Sequence, residues 1–259
     1  MIEVSEIADP RLDDFRDLKV ADGDARSRGV VIAEGVNVVA RLLTSRYPVR
    51  AIFGLPARLE QLAPALAGRD IPVFSGDKWM LSDVAGFRVT RGVLASAERG
   101  SFWSPAELIA SGRRLILLEG LNDFENLGAL FRNAAAFGAD GVLLDAQCAD
   151  PLYRRSVRVS MGHVLRVPFA VLPTSLPAAL PQLRAAGVAT LAFTPRAETR
   201  LSRLRPPPRW ALAFGAEGPG LSDAALAGVD QQVAIPMAAG VDSLNVATAI
   251  AVALAHFTA

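Results

Sequence analysis

Three short segments of the sequence contain the residues whose types and spacing are suited to chemistry. They are Asn122–Arg132 (NDFENLGALFR), Phe214–Ser222 (FGAEGPGLS) and Ile235–Asn245 (IPMAAGVDSLN). Each combines amide, hydroxyl, carboxylate or guanidinium side chains with glycines, and such groups bind and orient polar substrates. The pattern predicts one binding or catalytic site to which three loops contribute.

The first segment places Asn126 and Arg132 near the start of a predicted helix. Six residues span about 1.7 helical turns, so the two side chains are not in line. A long arginine side chain still allows both groups to face a pocket at the N-terminal end of the helix. The spacing by itself does not distinguish this from an arginine on an exposed helix surface.

The second segment follows an apolar strand and contains Gly215, Gly218 and Gly220. Glycines permit positive φ angles and allow a ligand to approach the backbone closely. The spacing is not GxGxxG and no acidic ribose partner is evident downstream, which disfavours a nicotinamide-dinucleotide site. A tight turn without a ligand is the alternative interpretation of this segment.

The third segment contains Pro236, Gly240 and Ser243, followed by Asn245. Ser243 is a favourable N-cap, which predicts a final helix from Leu244 to Phe257. Helix formation explains Asn245 less well, because asparagine is a mediocre helix former. Asn245 is therefore the stronger functional candidate of this segment.

Strands alternate with helices in two series, one before about residue 100 and one from Arg114 onward. This alternation predicts largely parallel sheets covered by helices. The three segments follow predicted strands, and open α/β sheets bind ligands beyond the carboxyl ends of their strands. We expect an α/β domain at 1–100, a linker at 101–112 and a second α/β domain at 113–259.

Composition limits the classes of function. The 259 residues carry a net charge of +1, and Cys148 is the single cysteine, so an intrachain disulfide or a cysteine zinc cluster is excluded. The N-terminal residues lack the apolar core of a signal peptide, and no apolar run approaches the ~20 residues of a membrane span. We expect a cytoplasmic protein that uses neither membrane nor metal.

A basic segment lies between the first two chemical segments. Arg154, Arg155 and Arg158 are close in sequence, and such a patch can bind RNA phosphates. The alternative is a solvated helix face whose charges are paired within the protein.

Together, three motifs of the sequence resemble the three signatures of the SpoU/TrmH family of SPOUT methyltransferases, in the same order. The motifs are N-L-G-A-L-F-R-N-A, F-G-A-E-G-P-G-L-S and I-P-M-x-x-G-x-x-S-L-N-V-A. The resemblance runs from about Arg114 to the C-terminus. Residues before Arg114, including Val31–Gly35, more loosely resemble the family's ribosomal-protein-like substrate-binding domain. The resemblance implies a mostly parallel sheet with helices on both faces, a deep trefoil knot, and a homodimer with its active site near the subunit interface.

The resemblance also implies S-adenosylmethionine as cofactor and methyl transfer to a ribose 2′-hydroxyl, with 23S ribosomal RNA as the expected substrate. Arg132 would activate the hydroxyl and contact RNA, although a guanidinium keeps its proton in proteins, which favours fixing phosphate and hydroxyl geometry over proton abstraction. The other implied catalytic residues are Asn126, Glu217, Ser243 and Asn245. The implied cofactor contacts are Phe214, Gly215, Ala216, Glu217, Gly218, Ile235, Pro236, Met237, Ser243, Leu244 and Asn245.

Other readings remain open from the sequence. The substrate could be a transfer RNA, or the methyl acceptor could be a base instead of a ribose. A non-catalytic RNA-binding assembly factor would keep the fold, although it would be expected to lose some of the motif residues. A dinucleotide-dependent oxidoreductase is disfavoured by the absent fingerprint.

Overall fold

A computed structural model describes residues 1–18, 28–100 and 103–258 and divides the chain into two compact units. Unit 1 contains Met1–Gly100 and Asp150–Arg166, and unit 2 contains Ser101–Ala149 and Val167–Ala259. The division differs from the predicted domains because the segment from Asp150 to Arg166 belongs to unit 1. The predicted linker at 101–112 also differs, since most of its described part is a helix.

The strands and helices follow one another in an alternating order along most of the chain. The strands are β1 (Ile2–Glu3), β2 (Val30–Glu34), β3 (Val49–Gly54), β4 (Val73–Ser75), β5 (Val93–Glu98), β6 (Arg114–Glu119), β7 (Gly141–Leu144), β8 (Phe169–Val171), β9 (Ala189–Phe193), β10 (Trp210–Gly215) and β11 (Gln231–Val233). The α-helices are α1 (Val36–Leu43), α2 (Pro56–Leu66), α3 (Lys78–Ala85), α4 (Pro105–Ser111), α5 (Phe124–Ala136), α6 (Arg154–Val159), α7 (Leu176–Ala185), α8 (Asp223–Gly228) and α9 (Val246–Thr258).

Unit 1 is built on a five-stranded sheet of order β1-β4-β3-β5-β2. Strand β5 runs antiparallel to both of its neighbours, so this sheet is mixed where the sequence predicted a largely parallel one. Residues Pro10–Phe15 of unit 1 form a 3₁₀ helix.

Unit 2 is built on a six-stranded parallel sheet of order β11-β9-β10-β6-β7-β8, which confirms the predicted α/β fold with a parallel C-terminal sheet. Strand β6 is interior to this sheet and Leu115–Leu118 are fully buried, as expected for an apolar run covered on both faces. Helix α4 from the predicted linker buries Leu108 and Ile109 in the same core. The trefoil knot is a property of chain threading and stays a prediction.

The parallel sheet determines where the functional segments emerge. In the register of β6 and β10, Glu119 pairs with Gly215, so these two strands end level with each other. The loops that follow them, and the loop after β11, leave from the same edge of the sheet because parallel strands share their carboxyl ends. Helices α5 and α9, which follow two of these loops, pack against each other.

Candidate active site

The loop after β10 is a tight reversal that requires glycine. A Cβ added to Gly215 would lie 2.0 Å from the carbonyl carbon of Gly220, a distance that no side chain tolerates. The Gly220 N–H donates to the Ala216 carbonyl at 2.9 Å and closes the turn, and Gly218 has φ +89°. The second segment thus folds into a compact backbone loop, which explains its glycine spacing.

The carboxylate of Glu119 anchors the far end of this loop. It accepts hydrogen bonds from the Ser222 N–H and from the Ser222 hydroxyl, both at 2.8 Å. The same hydroxyl oxygen accepts from the Ala225 N–H at 3.1 Å and caps α8. Sequence reasoning did not identify Glu119, although an acidic residue at the end of a buried strand was a visible signal.

The structure brings together one residue from each of the three motif segments. The Asn245 amide nitrogen donates to Asn126 Oδ1 and to Glu217 Oε1, both at 2.7 Å. Asn126 is buried at 9 % exposure, near the start of α5, where Asp123 caps the helix. The three side chains connect the first, second and third loops directly.

Asn245, and not Ser243, caps the final helix. Its Oδ1 accepts from the Ala247 N–H at 3.0 Å and from the Thr248 N–H at 3.2 Å. The helix therefore begins at Val246, two residues later than predicted, and Ser243 lies exposed in the preceding loop. The amide oxygen of Asn245 has a structural task, while its nitrogen is directed at the site.

A pocket of about 420 Å³ opens between the second and third loops, within the range of volumes that hold small organic ligands. Ten of the eleven predicted cofactor residues line it, the exception being Pro236. Stacked rings of Phe193 and Phe214, with centroids 4.8 Å apart, form part of its wall. Arg196, which the sequence analysis did not select, also lines the pocket and is exposed.

Arg132 does not join this cluster. It lies on an exposed part of α5, does not line the pocket, and has no hydrogen-bond or ion-pair partner among the described residues. Because six residues rotate the helix by about 240°, Arg132 points away from the direction of Asn126. Its predicted position beside Asn126 within one chain is therefore not observed.

The predicted basic RNA-binding segment is a short helix of unit 1, and one of its arginines is paired internally. Arg154 lies 3.2 Å from the carboxylate of Glu34, which is 3 % exposed. The Arg154 guanidinium also covers the ring of Phe87 at 4.1 Å. Arg154 thus has an internal partner, while Arg155 is exposed and Arg158 is half-buried. RNA contact by these three arginines stays a prediction.

Two further features are absent from residues 1–18, 28–100 and 103–258. No group of three or more histidine, cysteine, aspartate or glutamate side chains there is arranged to hold a metal ion. Within the same ranges, no helix has the length and apolar character needed to cross a membrane.

The sequence around this site matches a known protein family. Residues 113–255 match the model of the SpoU rRNA methylase family. The chain belongs to this family. The match covers all three loops, the pocket, helix α5 and all but the last three residues of α9. It leaves out most of unit 1 and the first residues of unit 2.

Individual relatives and solved structures resemble the chain over almost its whole length. An "uncharacterized tRNA/rRNA methyltransferase" of Mycobacterium bovis is 46% identical over 258 residues, covering 97% of this chain and 89% of that protein. The AdoMet-bound rRNA methyltransferase of Sinorhizobium meliloti has a TM-score of 0.83 at 24% identity and covers 98% and 96% of the two chains. An RNA 2′-O-ribose methyltransferase has a TM-score of 0.80 at 24% identity and covers 99% and 98%. These two structures share the fold.

Proposed function

We propose that this SpoU-family RNA methyltransferase transfers the methyl group of S-adenosylmethionine to a ribose 2′-hydroxyl of ribosomal RNA. The observation that carries the proposal is the contact of Asn126, Asn245 and Glu217 beside a pocket built from the second and third motif segments. The AdoMet-bound neighbour and the neighbour named as a 2′-O-ribose methyltransferase support the cofactor and the acceptor.

The pocket residues would hold the cofactor by shape and by backbone groups. The tight loop from Gly215 to Gly220 presents backbone atoms to the pocket, because its glycines leave no side chain in the way. When bound, S-adenosylmethionine supplies a methyl group on a sulfonium, which an oxygen nucleophile can attack in line. Asn245 lines this pocket and contacts Asn126 and Glu217, so it would orient the reacting groups at the pocket's edge.

We propose that Arg132 completes the active site from the partner chain of a homodimer. The proposal explains why Arg132 is exposed and lies outside the pocket of its own chain. Its guanidinium would bind the RNA phosphate and hold the 2′-hydroxyl in place, a role that suits a group that stays charged. As the new O–C bond forms, the methyl group would leave the sulfonium, which becomes a neutral thioether, and the hydroxyl proton would pass to solvent water.

The names of the family and of a solved relative support ribosomal RNA as the substrate. The family model and the S. meliloti neighbour are named for ribosomal RNA, whereas the mycobacterial relative is named for transfer or ribosomal RNA. Both RNA classes and the cofactor are found in the bacterial cytoplasm, where we place the reaction.

The test is methyl transfer from labelled S-adenosylmethionine to total RNA from a strain that lacks this gene. Label in a 2′-O-methyl nucleoside of ribosomal RNA is the expected result. Label in transfer RNA would show that the substrate is transfer RNA, and label on a base would overturn the ribose assignment. Cofactor binding without label in any RNA, including ribosomal precursors, would favour a non-catalytic assembly factor.

A further inference from the structure

Trp79 is the most exposed large apolar side chain in the described part of unit 1, at 77 % exposure. It lies on α3, whose opposite face buries Met80, Leu81 and Val84 in the unit 1 core. This packing fixes the rotation of the helix, so Trp79 cannot turn inward without displacing core residues. An exposed indole offers a flat apolar face with a polar N–H edge, on which an aromatic ligand can stack.

Trp79 lines an open cleft of about 750 Å³. Three and four residues after Trp79, Ser82 and Asp83 lie on the same helix face and line the cleft. The Ser82 hydroxyl oxygen accepts from the Val89 N–H at 3.4 Å and holds the loop after α3 against the helix. The cleft is thus formed before any ligand arrives.

The opposite wall is braced from a distant part of the sequence. Phe87 lines the cleft and lies under the Arg154 guanidinium, which is paired with buried Glu34. The arginine that the sequence assigned to RNA contact therefore supports the cleft wall. The brace is internal to unit 1, to which all three residues belong.

Two cations flank the indole. Lys78 and Arg88 line the cleft, and neither forms an ion pair with any residue in the described ranges. Among the described residues that line the cleft, Asp83 is the single carboxylate, and a carboxylate accepts hydrogen bonds from the N–H groups of a base. The cleft therefore combines an aromatic platform, two unpaired cations and one carboxylate.

We propose that this cleft binds an unpaired nucleotide of the RNA substrate, with its base stacked on Trp79 and its phosphates near Lys78 and Arg88. Stacking on an aromatic side chain with cations along the backbone is how proteins hold single-stranded nucleic acid. The unpaired Lys78 and Arg88 favour RNA over a protein partner, because the centre of an apolar protein interface is depleted of lysine. The inference rests on the proposed function and names where unit 1 grips the substrate.

The first experiment is a titration of the full-length protein with a single-stranded oligoribonucleotide, followed by tryptophan fluorescence. Of the other tryptophans, Trp210 is 2 % exposed and Trp103 is half-buried, so quenching reports mainly on Trp79. We expect quenching by the single strand, little quenching by an RNA duplex of the same length, and loss of the signal in Trp79→Leu.

The second experiment measures steady-state methylation of the RNA substrate. Trp79→Ala is expected to raise the KM for RNA by about tenfold, the scale of one stacked base, while Trp79→Phe stays near wild type and the affinity for S-adenosylmethionine is unchanged. Arg88→Gln is expected to reduce the slope of log K against log salt by about 0.7, the effect of one phosphate contact on single-stranded RNA. Arg69→Gln is the matched control, since Arg69 is an exposed cation of unit 1 outside the cleft.

The outcomes separate this inference from the proposed function. If the wild-type enzyme methylates RNA and Trp79→Ala has the same KM and the same quenching, the proposal that the cleft binds RNA would be overturned. Equal effects of Arg69→Gln and Arg88→Gln would also overturn it in favour of diffuse charge attraction. Quenching by RNA without methyl transfer would overturn the proposed function and leave the cleft. A Trp79→Ala defect in self-association by light scattering, with RNA binding intact, would make the cleft a protein interface.

Discussion

At the residue scale, Asn245 uses both ends of its amide group. Its oxygen caps α9 through two backbone N–H groups, and its nitrogen donates to Asn126 and Glu217. A carboxylate can replace the oxygen in the cap but cannot donate. A substitution of Asn245 that keeps the oxygen but removes the N–H donor should therefore change the site and leave the helix cap intact.

We predict that Asn245→Asp leaves the melting temperature near wild type and lowers kcat/KM by about ten- to hundredfold, the range for lost hydrogen bonds to charged groups. The new carboxylate would also repel Glu217. Asn245→Ala serves as control, because it removes the cap as well and should cost about 1 kcal/mol of stability. Near-normal turnover in Asn245→Asp would show that the contact with Asn126 and Glu217 is not used.

We expect Cys148, the single thiol, to react slowly with electrophiles. Burial, together with the neighbouring Asp145, raises the pKa of Cys148 to about 12 from an ordinary value near 9. The reactive thiolate is scarce at neutral pH, so alkylation by iodoacetamide at pH 8 should be much slower than in the urea-unfolded chain. Equal rates in the two states would contradict this prediction.

The same shift predicts how stability responds to alkaline pH. Between about pH 9 and 12 the folded thiol keeps its proton while the unfolded one loses it, so this group lowers the free energy of unfolding as pH rises through that window. Cys148→Ser should weaken the loss, as measured by urea unfolding at pH 8 and pH 10. An unchanged pH dependence in Cys148→Ser would contradict it.

At the element scale, the loop after β10 is held at both ends by β6. Strand pairing fixes Gly215 opposite Glu119, and the Glu119 carboxylate fixes Ser222. The loop that lines the pocket is therefore tied to the interior strand β6 at both of its ends. A loop that is ordered before binding loses less conformational entropy when the ligand arrives.

We predict that Glu119→Gln raises the dissociation constant for S-adenosylmethionine by about tenfold, since one charge-assisted contact to Ser222 becomes a neutral one. Isothermal titration calorimetry gives the value. At saturating cofactor the KM for RNA should stay unchanged, because Glu119 does not line the pocket.

The chain offers a closely matched control at the start of α4. Glu107 accepts from the Ser104 N–H at 2.7 Å and from its hydroxyl at 2.8 Å, the same pair of contacts in a capping box. Glu107→Gln should affect stability like Glu119→Gln but leave cofactor affinity intact. Equal losses of affinity in both variants would reduce the Glu119 effect to general destabilisation.

At the scale of the whole molecule, the exposed Arg132 and the pocket belong to one site only if two chains combine. The two side chains Asn126 and Arg132 lie on one helix, yet only Asn126 reaches the motif cluster of its own chain. A twofold dimer would let each chain supply Arg132 to the pocket of the other.

We predict that the Arg132→Ala homodimer is inactive and the Asn245→Asp homodimer strongly impaired. A heterodimer of the two is expected to recover about half of wild-type turnover, one intact site of two. Co-expression with two affinity tags isolates the heterodimer. No recovery would mean that Arg132 acts within its own chain. An active monomer by light scattering would reject the dimer itself.

The sequence by itself determined the α/β class, the parallel C-terminal sheet and the grouping of the three motif loops. Strand and helix periodicity is encoded locally, and parallel strands deliver their loops to one edge. The tertiary structure decided the rest: Asn245 in place of Ser243 as the cap, Glu119 as an anchor, and the placement of Asp150–Arg166 in unit 1. It also paired Arg154 with Glu34, 120 residues away. Such partners are set by packing between distant segments, which the local spacing of residues does not record.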